Sequence, residues 1–207
     1  WKRAPGYFEC TAYSGTGSVR TVPHGLTVPP EMMWVKRRDS SGQWNVYHKD
    51  LDASNPGHKY IILNSTIATA DSDGIWNDTA PTSSVFTVGD VGSVNASGGT
   101  FIAYLFATAP GVSKVGSFSH TNGSTTDVDC GFSSGARFVL LKRYSATGSW
   151  IVFDSVRGIV TGNDPFLKLD TTDAETTGND VIDPLSSGFQ VASGYLATGD
   201  WIFYAIA

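Results

Sequence analysis

The sequence predicts an all-β protein built from two tandem repeats of a β-sandwich-like unit related by pseudo-symmetry. Three observations predict it. The composition is 41% hydrophobic, with 23 Gly and 9 Pro and abundant Ser and Thr, a mixture that favours strands and turns. No segment sustains a 3.6-residue apolar period, whereas short apolar runs bounded by turn residues recur. The chain also repeats itself, which organises everything else.

A shift of 106 positions lays Gly25-Leu26 on Gly131-Phe132 and Met32-Met33-Trp34-Val35-Lys36-Arg37 on Phe138-Val139-Leu140-Leu141-Lys142-Arg143. The same shift lays Gly42 on Gly148, Trp44 on Trp150, Val46 on Val152, and Tyr60–Asn64 on Phe166–Asp170. With six fewer, Gly99–Tyr104 falls on Gly199–Tyr204 and Ala107 on Ala207. One offset held through several motifs is a duplication. The repeats are assigned to residues 1–109 and 110–207, joined near Thr108-Ala109-Pro110-Gly111 by a linker short enough to favour side-by-side packing.

Each repeat then reads as strands in order. Met32–Lys36 and Phe138–Lys142 are too short for helices and suit strands buried on both faces. Trp44–His48 and Trp150–Asp154 follow loops holding Gly42 and Gly148, where a shared demand for positive φ is expected. Their alternation puts Trp44 with Val46, and Trp150 with Val152, on one strand face, read as core. The closing strands Phe101–Phe106 and Trp201–Ile206 are apolar on both faces. One face lines the sandwich core; the second needs the other repeat or a neighbouring subunit.

Charge and motifs narrow the function. A net charge of −5 and a pI near 5.2 oppose sequence-independent nucleic-acid binding, which needs a basic face. No run of 18 or more apolar residues is present, so no helical membrane insertion is expected. Cys10 and Cys130 lie at non-equivalent places in the repeat and read as ordinary buried thiols.

Catalytic patterns fare poorly. Gly131-Phe132-Ser133-Ser134-Gly135 matches G-x-S-x-G, yet a strand follows it and no His occurs after His120. The close aspartate pairs sit beside turn formers, as solvated loop residues do. His24, His48, His58 and His120 lack metal-ligand spacing. The segment Asp71-Ser72-Asp73-Gly74 offers clustered carboxylates without a full calcium-loop pattern. No enzyme, metal or cofactor is therefore expected.

Binding patterns remain. Lys36-Arg37 and Lys142-Arg143 recur at strand ends, either to capture anionic polymers or to keep the strand soluble and block edge pairing. Trp76 and Tyr195 lie on loops and are candidates for stacking on a glycan, with Asp71 and Asp73 nearby in sequence to Trp76; local packing is the competing account of Trp76. The sequons at Asn64, Asn77, Asn95 and Asn122 follow from composition.

Several runs together resemble a known family. They are Pro23-His24-Gly25-Leu26, Pro29-Pro30, Trp34–Asp39, Trp44–His48, Trp76-Asn77-Asp78-Thr79, Pro81–Phe86, Phe101–Ala107 and Gly111–Gly116. This combination resembles a domain, uncharacterised in activity, that recurs in tail-fibre and other virion proteins of bacteriophages. The likeness spans residues 7–207, although Ala136 replaces Pro30 in the second repeat and the Trp76 motif has no counterpart there. It implies a virion location at the phage tail or surface, in a longer fibre or virion protein. It also implies a structural role, with attachment to a host-surface glycan, trimeric self-association and contact with other virion proteins. The alternatives are a lectin-like carbohydrate-binding module and a capsid-associated decoration or fibre protein.

Overall fold

The structure, a computed structural model, describes residues 2–207. It divides into two compact units, one ending at Thr108 and the other running Ala109–Ala207.

In the first unit the strands are β1 (Phe8–Ser14), β2 (Arg20–Pro23), β3 (Met32–Arg37), β4 (Trp44–His48), β5 (Lys59–Ile62) and β6 (Ala70–Asp71). They are followed by β7 (Val85–Val88) and β8 (Thr100–Phe106). Six form one antiparallel sheet in the order β1-β8-β3-β4-β5-β6, and β2 pairs with β7. Strand alternation sends Met33, Val35, Phe101, Ala103 and Leu105 into a core shared with Val22, Phe86 and Val88 of the small sheet. Two single-turn helices, α1 (Asp73–Trp76) and α2 (Gly92–Asn95), add Ile75, Trp76 and Val94 to that core. α1 stops where Asn77 turns left-handed (φ 53°) and its N–H returns to the Asp73 carbonyl at 2.6 Å, a conformation asparagine tolerates well. Asn95, fully buried, accepts from Thr16 N–H and donates to the Ser18 and Gly89 carbonyls. It ties three loops together, so this sequon is a structural asparagine.

The second unit contains β9 (Ser113–His120), β10 (Thr126–Asp129), β11 (Phe138–Arg143) and β12 (Trp150–Asp154). β13 (Leu167–Lys168), β14 (Ile182–Leu185), β15 (Gly188–Val191) and β16 (Gly199–Ile206) complete it. Its sheets run β13-β12-β11-β16-β9 and β10-β15-β14. Apart from β6, reduced here to an isolated Phe166↔Thr176 bridge, the large sheet repeats that of the first unit, and the register agrees to the residue. Met32↔Phe106 becomes Phe138↔Ile206, Met32↔His48 becomes Phe138↔Asp154, and Val22↔Phe86 becomes Val128↔Phe189. Even a side-chain clasp is retained: Asn64 Oδ1 accepts from Trp44 N–H at 2.9 Å, and Asp170 Oδ1 from Trp150 N–H at 2.7 Å. The all-β, two-unit sandwich expectation stands. The units differ where the first uses α1 and the second uses β14, whose Ile182 enters the core in place of a helical turn. Pro184 is tolerated there because β14 lies at the sheet edge.

Three expectations need correction. β3 and β11 are interior strands, each flanked on both sides, so Lys36 and Lys142 cannot be guarding an edge. Lys36 Nζ instead donates to the Arg37 and Ser40 carbonyls, and Lys142 Nζ to the Gly148 carbonyl, each fastening the loop that follows its strand. Gly42 has a positive φ (154°) but Gly148 does not, so the glycine pair does not share a backbone demand. Finally, Tyr47 and Phe153 carry their strands into the cores. By alternation Trp44 and Trp150 point to the opposite face of the large sheets, where Trp150 is nonetheless fully buried, as its core reading expects, and Trp44 only half-buried.

Lys142 is fully buried, and desolvation pulls its pKa down to about 8 from 10.5. The unfolded chain therefore holds more protons than the folded one between those values, and the stability contributed at this position rises with pH across that window. Relative to wild type, Lys142→Met should show a stability advantage that shrinks by about 3 kcal/mol between pH 7.5 and pH 10.5. Urea melts of both proteins across that range read this directly. A pH-independent gap would mean that the ammonium is not desolvated.

Candidate functional site

The outer face of the first unit's large sheet is built by the same alternation that builds the core. With Met33, Val35, Ala103 and Leu105 turned inward, Trp34, Tyr104 and Phe106 must turn outward, and the β1–β8 register sets Cys10 opposite Tyr104 and Phe8 opposite Phe106. Together with Trp44 and Arg3 these residues line a cleft of about 520 Å³, within the range of small-molecule sites, roughly 300–1,000 Å³. The Phe8 and Trp44 rings lie within 19° and 22° of the Tyr104 plane, at centroid distances of 6.4 and 6.1 Å. Trp34 packs at 4.7 Å on Phe106.

Polar groups in the cleft are few. Arg3, two-thirds exposed, pairs at 2.5 Å with the buried Glu9 carboxylate, whose Oε1 also accepts from Cys10 N–H. Burial pushes the Cys10 thiol up, which keeps it protonated and weakly nucleophilic. The Trp34 indole N–H is buried and, among the described residues, has no acceptor. An orphaned donor costs about 1–3 kcal/mol unless something supplies an oxygen. The arrangement can hold a ligand with flat apolar faces and acceptor oxygens; it offers no nucleophile–base pair.

The residues singled out from sequence do not form one site. Trp76 is fully buried in the first core, edge-on to Tyr47 at 6.2 Å, because α1 turns it inward; it has no face to offer a glycan. Asp71 lies exposed on β6 and pairs with Lys59 at 2.9 Å, which holds its carboxyl below the usual range. Asp73 occupies the first turn of α1. Tyr195 belongs to the second unit, half-buried against Phe166 at 5.3 Å. The G-x-S-x-G segment is a loop leading into β11, with Gly131 and Gly135 at φ 71° and 79°. Cys130 is buried, and its thiol is pushed up to about 12 by desolvation. Among the described residues no group of three or more His, Cys, Asp or Glu is disposed to hold a metal, and no helix is long and apolar enough to cross a membrane.

The cleft residues were overlooked in the sequence because Trp34 and Tyr104 sit inside runs apolar at every position. The available signal was the comparison of repeats. At matching register, Phe8, Cys10, Trp34 and Phe106 correspond to Ser113, Val115, Leu140 and Ile206, so the aromatic excess belongs to the first repeat alone.

Against known proteins, the model of a family described as a domain of unknown function, DUF7483, matches residues 4–207. No curated protein matches the chain, and no solved structure does.

Proposed function

The chain belongs to the DUF7483 family, and on the resemblance of its motifs to tail-fibre and virion domains we propose that it is a structural module of a bacteriophage virion. The module is tail-fibre or tail-associated, self-associates as a trimer, contacts other virion proteins and takes part in attachment to the host surface. The observation that carries this reading is where the resemblance motifs go. Leu26, Val35, Trp76, Phe86, Phe101 and Leu105 are spent on the core, Asn77 and Asp78 on a left-handed turn, and Lys36 on loop carbonyls. Most of the shared residues serve the scaffold, with Trp34, Trp44, Tyr104 and Phe106 of the same motifs left to line the cleft, a division that suits a rigid building block carrying one contact surface. The likeness to tail-fibre and virion domains supplies the setting.

Immunogold labelling of purified particles of a phage encoding the chain tests this. Label is expected along or at the tip of the tail, and light scattering of the purified chain should give three times the 22.0 kDa protomer mass. Label on the capsid shell would favour the decoration-protein alternative. A particle free of the chain would refute the virion reading.

A further inference from the structure

We propose that the aromatic cleft of the first unit, lined by Phe8, Trp34, Trp44, Tyr104 and Phe106 with Arg3 beside them, is a saccharide-binding site that seats pyranose units of a surface polysaccharide. The inference deepens the attachment role, and it rests on the virion reading only for the source of the sugar.

The duplication supplies an internal control. The second repeat builds the same sheet in the same register with Ser113, Leu140 and Ile206 where the first has Phe8, Trp34 and Phe106. Aliphatic and small side chains satisfy the fold at these positions in the second repeat; in the first, Phe8 and Phe106 are buried and form the floor of the cleft, and Trp34 is the substituted ring left half-buried. The two retained aromatics are also treated differently. In the second repeat the Lys142 ammonium lies 6.0 Å from the Trp150 ring centre. In the first, Lys36 directs its ammonium to the Arg37 and Ser40 carbonyls, and Trp44 lines the cleft.

The polar inventory selects the ligand. The lining side chains carry donors (the Arg3 guanidinium, the Tyr104 hydroxyl and the Trp34 indole N–H, the last buried just beneath the cleft surface) and no carboxylate or amide oxygen. An acyl chain would leave the buried Trp34 N–H unpaired, which is costly. A peptide backbone would bring N–H donors for which the lining has few acceptors, proline excepted. A pyranose ring presents an apolar C–H face to the half-buried, near-parallel rings of Tyr104 and Trp44, with buried Phe8 and Phe106 backing them, and hydroxyl or uronate oxygens to the donors. Four adjacent strands (β1, β8, β3 and β4) span roughly 14 Å, room for more than one sugar.

The test uses the whole purified chain on an array of bacterial capsular and O-antigen oligosaccharides, with decaproline as the competing peptide probe. At least one oligosaccharide is expected to bind, followed by tryptophan fluorescence. Trp44→Ala and Trp34→Phe should each weaken it at least tenfold, while Tyr195→Ala leaves it unchanged. Trp34→Phe keeps a ring and removes the N–H, and a urea melt of the variant matching wild type separates its loss of binding from unfolding. Binding of no oligosaccharide, binding undiminished in both variants, or binding of decaproline alone would overturn the proposal. Failure here with tail labelling retained removes the cleft and keeps the virion role; sugar binding without virion label does the reverse.

Discussion

Replacing Trp76 by alanine is expected to lower the unfolding free energy by about 4 kcal/mol and to leave any saccharide binding by the folded protein unchanged. The indole is fully buried between α1 and the core of the first unit, against Tyr47 and neighbours such as Phe86 and Val88. Truncation removes a large apolar surface and opens a cavity that the two sheets cannot close without shifting strands held in register on both sides. Chemical denaturation measures the loss. A loss below about 1 kcal/mol, the range of surface substitutions, would mean that the ring is not part of the core and would reopen its reading as a ligand contact. Trp44→Ala serves as the contrast: its ring lines the cleft and lies outside the core cluster, so stability should suffer less than binding.

Asp164→Ala should cost about as much, about 4 kcal/mol, in the second unit. Asp164 is fully buried, and its carboxylate accepts from three backbone amides: Val160 at 3.1 Å through Oδ1, and Val181 and Ile182 at 3.2 and 3.0 Å through Oδ2. Those bonds fasten the loop after β12 to the start of β14, whose Ile182 fills the core. Alanine would leave the buried Val181 and Ile182 N–H groups unpaired, each worth roughly 1–3 kcal/mol, and release the exposed Val160 segment from its anchor. Burial raises the carboxyl pKa against the lowering effect of the amide bonds, so part of the gain from those bonds is spent on desolvation, and the estimate is set below their simple sum. Asp164→Asn, which keeps one acceptor oxygen, should lose roughly half as much. Hydrogen exchange at Val181 and Ile182 provides a local readout, with protection expected to fall first at these two amides. Equal protection in wild type and Asp164→Ala would remove the aspartate from this role.

Asp164 and Asn95 show where sequence reading ends. Both were ordinary members of Asn/Asp-rich loops, and turn chemistry accounts for most such residues. Nothing in the chain order reveals that one carboxylate will meet amides 17 and 18 positions away, or that one carboxamide will clasp carbonyls six and 77 positions away. Trp76 is the converse case, where the packing account holds and the glycan contact does not. Its neighbours Asp73, Gly74, Asn77 and Asp78 are turn formers, and a loop was the natural reading; a single helical turn closed by left-handed Asn77 brings the indole inward instead.

The chain itself determined the duplication and the positions of β3, β4 and β8 with their counterparts β11, β12 and β16, because short apolar runs recur at one offset between turn residues. The two-sided apolar character of β3 and β8 was also legible there. Tertiary structure decided which side of each strand became core. A period of two defines two faces and assigns burial to neither; the second sheet does that by covering Met33, Val35 and Leu105 and leaving Trp34 and Tyr104 on the other side. The aromatic cleft exists for that reason.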